Sequence, residues 1–437
     1  MSQTGQGRVR VGFRRAMAPV VVACVIALVA AACGGGSSNS STSSSGGGGA
    51  NTASATGITA TNITIGSHQP LTGVAAPGYD EIAPSSKALF DDVNAHGGVN
   101  GRKITYTYQD DAYNPTQTAT VVRSLVLQDN VFGIFNGLGT PTHLAVQQFL
   151  NTERVPDLFV ASGCDCWNNP SKFPYTSGYQ TDYTVEGKIT GQYIKNNFAG
   201  KKVGYLYQND DFGQGGVQGL DQQIPKSSVV SRQNYVPTNL DVGPQVAALQ
   251  SSGAEVAVLY TVPPFTALTL AAAAKIGYHP QWVTSSVSAD PTTLSGLLKG
   301  SSMLEGLVTS SYLPSTSDTS NPWVQTFKRI HDQYVPNLPF DGNTLFGMGV
   351  AYTFVKLMQQ AGTNPTRQSV ISALKTANLA GPGLVPLNYS SASGYTGVQM
   401  GSIHGGQLTL SGPRYTATDN GPIGTFNGAQ PAPPPNL

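Results

Sequence analysis

The sequence predicts an α/β protein with two lobes, each built around a parallel central sheet. At roughly 150 residues per domain, a chain of 437 residues has two or three domains. From Thr61 onward, short apolar runs alternate with amphipathic stretches, a pattern typical of parallel strands joined by helical crossovers. The alternation is interrupted around residues 164–180 and then restarts, so a second sheet of the same kind should follow the first.

In the first half of the chain, the spacing of apolar residues predicts the strands and helices, and glycines mark where a helix ends. Asn62 to Gly66 alternates as a strand does, and the pair Gly97-Gly98 stops the helix that follows. The predicted strands are 62–66, 103–108, 131–135 and 158–161, and the predicted helices are 79–95, 115–129 and 141–151.

The second half repeats this order and then adds helices. Its predicted strands are 202–207, 228–235 and 255–260, and its predicted helices are 184–197, one after Gly213, 242–251 and 264–276. Helices at 321–334, 345–361 and 367–377 follow, so at least one lobe is completed by chain that returns from the other.

The charge balance argues against a polyanionic partner. The chain has 24 basic and 23 acidic residues, a net charge of +1, and only 11% of residues are charged. No long-range field favours nucleic acid, and we expect none to bind. Hydrophobic residues make up 39% of the chain, enough for real cores despite 51 Gly and 29 Pro.

The amino terminus carries an export signal. Four arginines between residues 8 and 15 precede an uncharged run from 16 to 32, which is typical of a secretory signal peptide. The run ends in Ala30-Ala31-Ala32-Cys33-Gly34, which resembles the lipobox of bacterial lipoproteins. We therefore expect residues 1–32 to be removed and Cys33 to be lipidated at the outer face of the bacterial cell membrane. An uncleaved transmembrane anchor is the alternative, although the run is near the lower limit for a span and contains Pro19.

Two low-complexity segments flank the predicted body. Residues 34–50 consist mainly of Gly and Ser, and we expect a flexible tether over 33–60. Apolar periodicity is lost after about Pro413, so residues 413–437, which include the string PAPPP, are expected to form a mostly unpacked tail.

Several segments together carry a family resemblance. They are ITIGSHQPLTG (63–73), DVNAHGGVNGR (92–102), QDDAYNP (109–115), YQNDDFG (207–213) and 346–362. In this order they resemble the leucine/isoleucine/valine-binding protein family, the type I periplasmic solute-binding proteins of ABC importers.

The resemblance implies two Rossmann-like lobes joined by a three-strand hinge, which close on a small molecule without chemistry and without a cofactor. Lobe 1 would comprise 61–180 and 312–396, and lobe 2 would comprise 181–311 and 397–412. The crossovers are expected near 179–182, 311–314 and 395–399. The implied partners are a small-molecule ligand and a complex of permease and ATPase in the membrane.

The loop Gly139 to Thr142 is the leading candidate for a ligand contact. It lies between a predicted strand and a predicted helix, with Thr140 suited to cap the helix and Pro141 suited to its first position. A helix amino terminus attracts a carboxylate by roughly 0.3 to 1 kcal/mol. The alternative is an ordinary cap that contacts no ligand.

The resemblance extends the site to other strand ends. It implies contacts from Ala161, Ser162 and Gly163 to the same head group, an aromatic wall at Phe212, and a rim formed by Gln69 and Tyr79. For Phe212, packing within its own lobe is an equally good interpretation.

Two positions of the second lobe depart from the family pattern, as does Gly163, where amino-acid binders usually have Thr. Val262 stands where amino-acid binders have Tyr, and Ser286 stands where they have the acidic partner of the ligand's ammonium. An unpaired buried ammonium costs on the order of 2 to 5 kcal/mol, so we expect an acid or amide with an apolar or aromatic body rather than a plain α-amino acid. Asp182, Asp210 or Asp211 could replace the missing carboxylate.

Cys164 and Cys166 are the thiols that remain after export and lipidation. In an oxidising exterior an even pair favours a disulfide, although two residues of extended chain span about 6.6 Å and a turn would be needed. Zinc is the competing interpretation, but no His is near in sequence and one Cys pair is too few for a structural site.

Enzyme motifs are weak in this sequence. The six His residues are scattered without metal-ligand spacing, so we expect no metal site, and no GxSxG or Walker A motif occurs. The glycines of Gly213 to Gly219 miss GxGxxG by one position. A binding protein is therefore predicted, with a ligand sensor of the same fold and a secreted α/β hydrolase as alternatives.

Overall fold

The computed structural model describes residues 50–391 and 393–435. The predicted signal peptide, Cys33 and most of the predicted tether lie outside these residues. Among the helices of the described part, none has both the length and the apolar character that a membrane span requires.

The first sheet has five parallel strands in the order β2-β1-β3-β4-β5. Its strands are β1 Asn62–Gln69, β2 Lys103–Asp110, β3 Ile134–Phe135, β4 Asp157–Val160 and β5 Thr176–Gly178. The intervening helices are α1 Ala76–Tyr79, α2 Ile82–Ala95, α3 Pro115–Leu127 and α4 Thr140–Thr152. The helix predicted over 79–95 begins at Ile82 instead, because Pro77 and Gly78 within α1 have non-helical backbone angles.

The second sheet has eight strands in the order β15-β14-β13-β10-β9-β8-β6-β7. Its parallel strands are β6 Val203–Gln208, β7 Val229–Tyr235, β8 Val256–Tyr260, β9 Gln281–Thr284 and β10 Val308–Ser311. Antiparallel strands β13 Gly397–His404, β14 Gln407–Thr416 and β15 Gly424–Phe426 extend it. The helices are α5 Tyr183–Asn197, α6 Asp211–Asp221, α7 Gly243–Ser251, α8 Pro263–Lys275 and α9 Pro291–Leu298.

Chain from beyond the second sheet returns to complete the first. It forms α10 Pro322–Tyr334, α11 Gly342–Gln360, α12 Arg367–Leu374 and the two-strand ribbon β11 Leu387–Asn388 with β12 Gly394–Tyr395. Helix α11 packs against α2, and edge-to-face contacts of Phe90 with Phe135 and Phe354 join these helices to the first sheet. The prediction of α/β architecture with parallel central sheets is confirmed.

The chain passes between the two sheets three times, at 179–182, 312–321 and 396. These segments contact one another: the ring of Tyr312 stacks on Tyr395 with centroids 5.0 Å apart, and Thr181 Oγ1 donates to the carbonyl of Gly397 at 2.7 Å. Because the crossings are adjacent, rotation between the sheets requires changes in few backbone angles.

Both flanking segments are more ordered than the sequence predicts. Residues 413–416 belong to β14 and pair with β15, and Trp323 Nε1 donates to the carbonyl of Pro431 at 2.6 Å. The prediction of a mostly unpacked tail over 413–437 was therefore wrong, since backbone pairing needs no apolar periodicity. The predicted tether also ends early: Ile58 is buried, and Arg102 binds the carbonyls of Thr52 and Thr59.

Cys164 and Cys166 are bonded to each other, with Cα atoms 5.0 Å apart. The turn that the short spacing demands is the start of a 3₁₀ helix over Asp165–Trp167, where the amide of Cys166 faces the Cys164 sulfur at 3.3 Å. The bridge lies in the loop that follows β4, next to Ser162 and Gly163.

We expect thiol titration of the exported protein under denaturing, non-reducing conditions to find no free thiol at Cys164 and Cys166, because the native turn already brings the two sulfurs together. Prior reduction should release two thiols from this pair, and a Cys164→Ser variant should show one thiol without reduction. Two thiols in the unreduced protein would contradict the bridge.

Candidate functional site

A cavity of about 390 Å³ lies where the carboxyl ends of the two sheets face each other. The loop after β3 contributes Leu138, Gly139 and Thr140, and the loops after β6 and β8 contribute Phe212 and Val262. In a parallel sheet these loops all emerge at one edge, which is why α/β folds bind ligands there. The volume is in the range of small-molecule pockets.

Six of the nine residues predicted to contact ligand line this cavity. They are Tyr79, Thr140, Ala161, Phe212, Val262 and Ser286. They come from both lobes, so the loops that the sequence identified converge in space.

The other three do not line it, and each is held in the interior by its own contacts. Gln69 is fully buried and its Nε2 donates to Ser67 Oγ at 2.8 Å and to the carbonyl of Asn136 at 2.6 Å. Ser162 lies one layer behind Thr140. Gly163 is buried, and its carbonyl accepts from the amide of Tyr183 at 2.7 Å.

The amino terminus of α4 differs in detail from the prediction. Gly139, with φ of +101°, is the cap residue, and Thr140 is the first helical residue. The Thr140 hydroxyl is therefore not used as a cap and forms a 2.7 Å hydrogen bond with Ser162 Oγ. The amide of Thr140, the first helical residue, has no carbonyl partner within the helix, so this end of the cavity presents a donor to an anionic or carbonyl group.

An aromatic wall, most of which the sequence analysis missed, forms the body of the cavity. Tyr113, Tyr183 and Tyr312 join Tyr79 and Phe212, and the rings of Tyr183 and Phe212 lie 4.8 Å apart. Burial raises the pKa of Tyr79, Tyr183 and Tyr312, so their hydroxyls stay protonated at neutral pH. Tyrosine is common in strands and cores, and the sequence offered no signal that separated Tyr113, Tyr183 and Tyr312 from the others.

Tyr113 is held in a strained conformation. Its φ is +58° and that of Ala112 is +49°, both in the left-handed region. The side chains of Asp110 and Asp111 accept from the amides of Ala112 and Tyr113, each at 2.9 Å, and stabilise the turn. The segment QDDAYNP therefore holds the side chain of Tyr113 in the wall of the cavity.

A buried chain of hydrogen bonds lies beneath this turn. His68 Nδ1 contacts Asp111 at 2.8 Å, His68 Nε2 contacts His143 Nδ1 at 2.9 Å, and His143 Nε2 contacts Asp157 at 2.8 Å. The histidines are scattered along the sequence, but β1 and α4 bring two of them together. Burial lowers the pKa of His68, and Asp111 opposes this shift. This chain of hydrogen bonds joins the segments at the ends of β1, β2 and β3 into one unit.

A carboxylate lies behind Ser286, at the departure from the family pattern. Glu186 of α5 is fully buried, and its Oε1 accepts from the amide of Ser286 and from Ser310 Oγ, each at 2.6 Å. Burial raises its pKa. Asp182 and Asp210, considered as replacements, instead cap α5 and α6 and do not line the cavity; nor does Asp211.

Hydrogen bonds across the cleft hold the two lobes together. Tyr79 Oη donates to the carbonyl of Val287 at 2.9 Å, and Gln208 Nε2 donates to Tyr113 Oη at 3.3 Å. At the mouth, the amide of Gly342 donates to Asp290 Oδ2 at 2.9 Å. The described conformation is therefore closed.

A group of three carboxylates lies near the crossings. One oxygen from each of Asp165, Asp182 and Asp419 lies within 4.8 Å of the others. The ammonium of Lys188 donates to the carbonyls of Thr418 and Asp419 at 3.2 Å, and a positive charge therefore already lies beside this group.

Comparison with known proteins identifies the family. A family model described as periplasmic binding protein matches residues 62–401, well over half of the chain. The chain belongs to the periplasmic binding protein family. The resemblance noted in the sequence is thereby confirmed, and family members named among the relatives are binding proteins rather than enzymes.

Relatives of this periplasmic binding protein are distant. The amino acid binding protein of Pseudomonas aeruginosa is 27% identical over 207 residues, which cover 45% of this chain and 52% of that protein. The match to a Leu/Ile/Val-binding protein homolog of Brucella melitensis covers 53% of that protein. The chain thus spans about half the length of the curated relatives it first matches.

Solved structures match over most of the chain. A fatty acid ABC transporter substrate-binding protein from Thermomonospora curvata has a TM-score of 0.74 at 22% identity, covering 85% of this chain and 97% of its own. A branched chain amino acid ABC transporter structure from Thermus thermophilus with bound valine has a TM-score of 0.71 at 20% identity, covering 82% and 97%. These matches establish the fold of this periplasmic binding protein.

We expect Thr140→Val to weaken binding of any ligand that enters the cavity by about ten- to a hundredfold, the effect of losing a hydrogen bond to a charged group. The substitution keeps the shape of the side chain but removes its hydroxyl. Isothermal calorimetry measures the affinity, and urea denaturation measures the free energy of unfolding.

Thr142→Val is the matched control. Its hydroxyl donates to the carbonyl of Leu138 and does not line the cavity. Thr142→Val should lower the free energy of unfolding about as much as Thr140→Val does, and it should leave the affinity almost unchanged. Equal affinities for Thr140→Val and the parent protein would remove this helix end from the site.

Proposed function

We propose that this protein is an extracytoplasmic solute-binding protein that captures a small molecule between two closing lobes and delivers it to an ABC importer. The observation that carries the proposal is the closed cavity, which draws its lining from the carboxyl ends of both sheets. A ligand that contacts both lobes at once stabilises the closed form and shifts the population toward it. The family membership and the names of the relatives support delivery to a transporter.

The lining defines the chemistry of the ligand. The amide of Thr140 at the start of α4 favours an acceptor such as a carboxylate or an amide oxygen. At the other side, Ser310 lines the cavity and donates its proton to Glu186, so its oxygen is left as an acceptor for a ligand N–H or O–H. Between them lie aromatic rings. We therefore infer a small carboxylate or amide with an apolar or aromatic body, including molecules that resemble branched-chain amino acids but lack a free α-ammonium.

Ser286 departs from the family pattern, and Glu186 lies behind it. The side chain of Ser286 has no charge, but a carboxylate lies directly behind its amide. Because Glu186 is fully enclosed and does not line the cavity, a plain ammonium would meet the serine oxygens rather than the carboxylate. An amide or hydroxyl matches those oxygens at a smaller desolvation cost than an ammonium does.

The division into lobes follows from the same proposal. Residues 61–180 with 312–396 would move as one lobe around the first sheet, and residues 181–311 with the chain from 397 onward would move around the second. The three adjacent crossings act as the hinge. The exported protein would be held at the membrane through lipid on Cys33, and two acyl chains are enough for stable anchoring.

Native mass spectrometry of protein purified from its own host should reveal a bound small molecule, because a closed cleft releases its ligand slowly. Calorimetry with a panel of acids, amides and amino acids should then give the tightest binding for a member with an acceptor head and an apolar body. Leu, Ile or Val binding at micromolar Kd would overturn the ligand inference, and catalytic turnover of a panel ester, amide or phosphate would contradict the binding role.

Closure itself can be tested at Gly78, where the lobes touch. Its φ is +85°, and an added Cβ would lie 2.6 Å from Thr293 Oγ1 of the other lobe and 2.8 Å from Asn343 Nδ2. Gly78→Ala should therefore hold the cleft open. We expect a larger radius of gyration in small-angle scattering than for the parent protein. The affinity should fall by more than about tenfold, because the added Cβ strains the closed form that binds the ligand.

Gly97→Ala is the control for backbone strain. Gly97 has φ of +97°, and an added Cβ there meets nothing within 4 Å. This variant should lose a similar free energy of unfolding and keep the parent radius of gyration and affinity. If both variants behaved alike, Gly78 would have no part in closure.

A further inference from the structure

Three carboxylates meet at the mouth of the cleft, and two lobes supply them. Glu81 precedes α2 and Asp341 precedes α11, both in the first lobe, whereas Asp290 precedes α9 in the second. Helices α2 and α11 pack against each other, with Ser86 Oγ donating to the carbonyl of Gly347 at 2.7 Å, so Glu81 and Asp341 lie at the neighbouring starts of two packed helices. We call these three residues the mouth cluster.

Two carboxyl oxygens of the mouth cluster lack a donor. Asp341 Oδ1 accepts from the amides of Asn343 and Thr344, but Asp341 Oδ2 and Glu81 Oε2 are buried and have no partner among the described residues. Two carboxylates cannot hydrogen-bond to each other unless one carries a proton. A single shared proton satisfies both oxygens and removes the repulsion between them.

The third carboxylate bonds across the cleft. Asp290 Oδ1 accepts from the amide of Thr293 in its own helix, and Asp290 Oδ2 accepts from the amide of Gly342, the first residue of α11. Closure therefore brings Asp290 up to Asp341 and Glu81. Opening the cleft removes Asp290 and admits water to the pair.

The surrounding charges do not neutralise the cluster. Asp80 adds a fourth carboxylate next to Glu81. In the described chain, none of the ion pairs includes a residue of the mouth cluster, and the nearby basic residues of α10, Lys328 and Arg329, pair with Asp332 and Asp92. The first turns of α2, α8, α9 and α11 carry no charged side chain.

We propose that Glu81 and Asp341 share a proton in the closed form, so that cleft closure takes up a proton and a rise in pH favours opening and ligand release. The proposal rests on the proposed function, because it describes regulation of the same cleft. It makes the mouth cluster a proton-dependent latch, separate from the cavity that selects the ligand.

The direction follows from linkage. In the closed form, burial and neighbouring carboxylates raise the pKa of Glu81 to about 7 and that of Asp341 to about 9. In an open, hydrated cleft both groups return toward ordinary carboxyl pKa values of about 4. Closure is then strongest at low pH. Because closure takes up a proton, the ratio of closed to open molecules falls by up to about tenfold for each pH unit between the open-form and closed-form pKa values.

The test measures lobe separation and affinity between about pH 6 and about pH 9, a window that spans the raised pKa values. Small-angle scattering of the full exported protein gives the radius of gyration, and calorimetry gives the affinity for the molecule recovered by native mass spectrometry. We expect the radius to increase and the affinity to fall by at least about tenfold across this window.

Glu81→Gln is the informative variant. The side-chain amide that this substitution introduces can always donate to Asp341, as the protonated carboxyl group of Glu81 does. The radius of gyration and the affinity should therefore lose their pH dependence between about pH 6 and about pH 9. Asp341→Asn is a second variant, because Asn still caps α11. Asp91→Asn, an exposed carboxylate on α2 that pairs with Lys87, is the control and should keep the parent pH profile.

The outcomes separate the latch from the function. A parent affinity and radius that do not change with pH, or a change that persists in both Glu81→Gln and Asp341→Asn, would overturn the latch while ligand binding stands. A pH-dependent radius abolished by Glu81→Gln would support the latch even if no ligand were recovered, in which case the transport proposal alone would fail.

Discussion

In a parallel sheet the loops that follow the strands emerge at one edge, and here two such edges face each other across a cleft. The positions of the cavity-lining residues follow from this arrangement. Thr140 and Ala161 come from neighbouring strand ends of the first sheet, and Phe212, Val262 and Ser286 come from strand ends of the second. A ligand in this space contacts both lobes, and any change in the angle between the sheets changes its contacts.

Polar contacts join the two lobes across the closed cleft. The bonds from Tyr79 to Val287 and from Gly342 to Asp290 are single hydrogen bonds, each worth about 1 kcal/mol. Contacts of this strength leave the open and closed forms close in free energy, which lets a small ligand or a proton shift the balance. A tightly packed interface would hold the cleft shut regardless of ligand.

The loops themselves are rigid because buried polar networks support them. Asp111 orients Tyr113 on one side and contacts His68 on the other, and His68 leads through His143 to Asp157. Glu186 performs a similar task in the second lobe by holding Ser286 and Ser310. Such networks resist rearrangement, since breaking one bond leaves a buried polar group without a partner.

The sequence by itself determined the α/β alternation, the order of most strands and helices as far as α8, the family, and six of the cavity-lining residues, because these depend on local periodicity and on motifs at strand ends. The tertiary structure alone decided that Gln69 and Ser162 lie behind the cavity, that Tyr113, Tyr183 and Tyr312 join its wall, and that part of the segment after Pro413 pairs as strands and contacts Trp323. It also decided the proximity of His68 to His143 and of Glu81 to Asp341 and Asp290. Each of these depends on contacts between residues far apart in the chain, and the period of a strand or helix contains no information about which distant element packs against it.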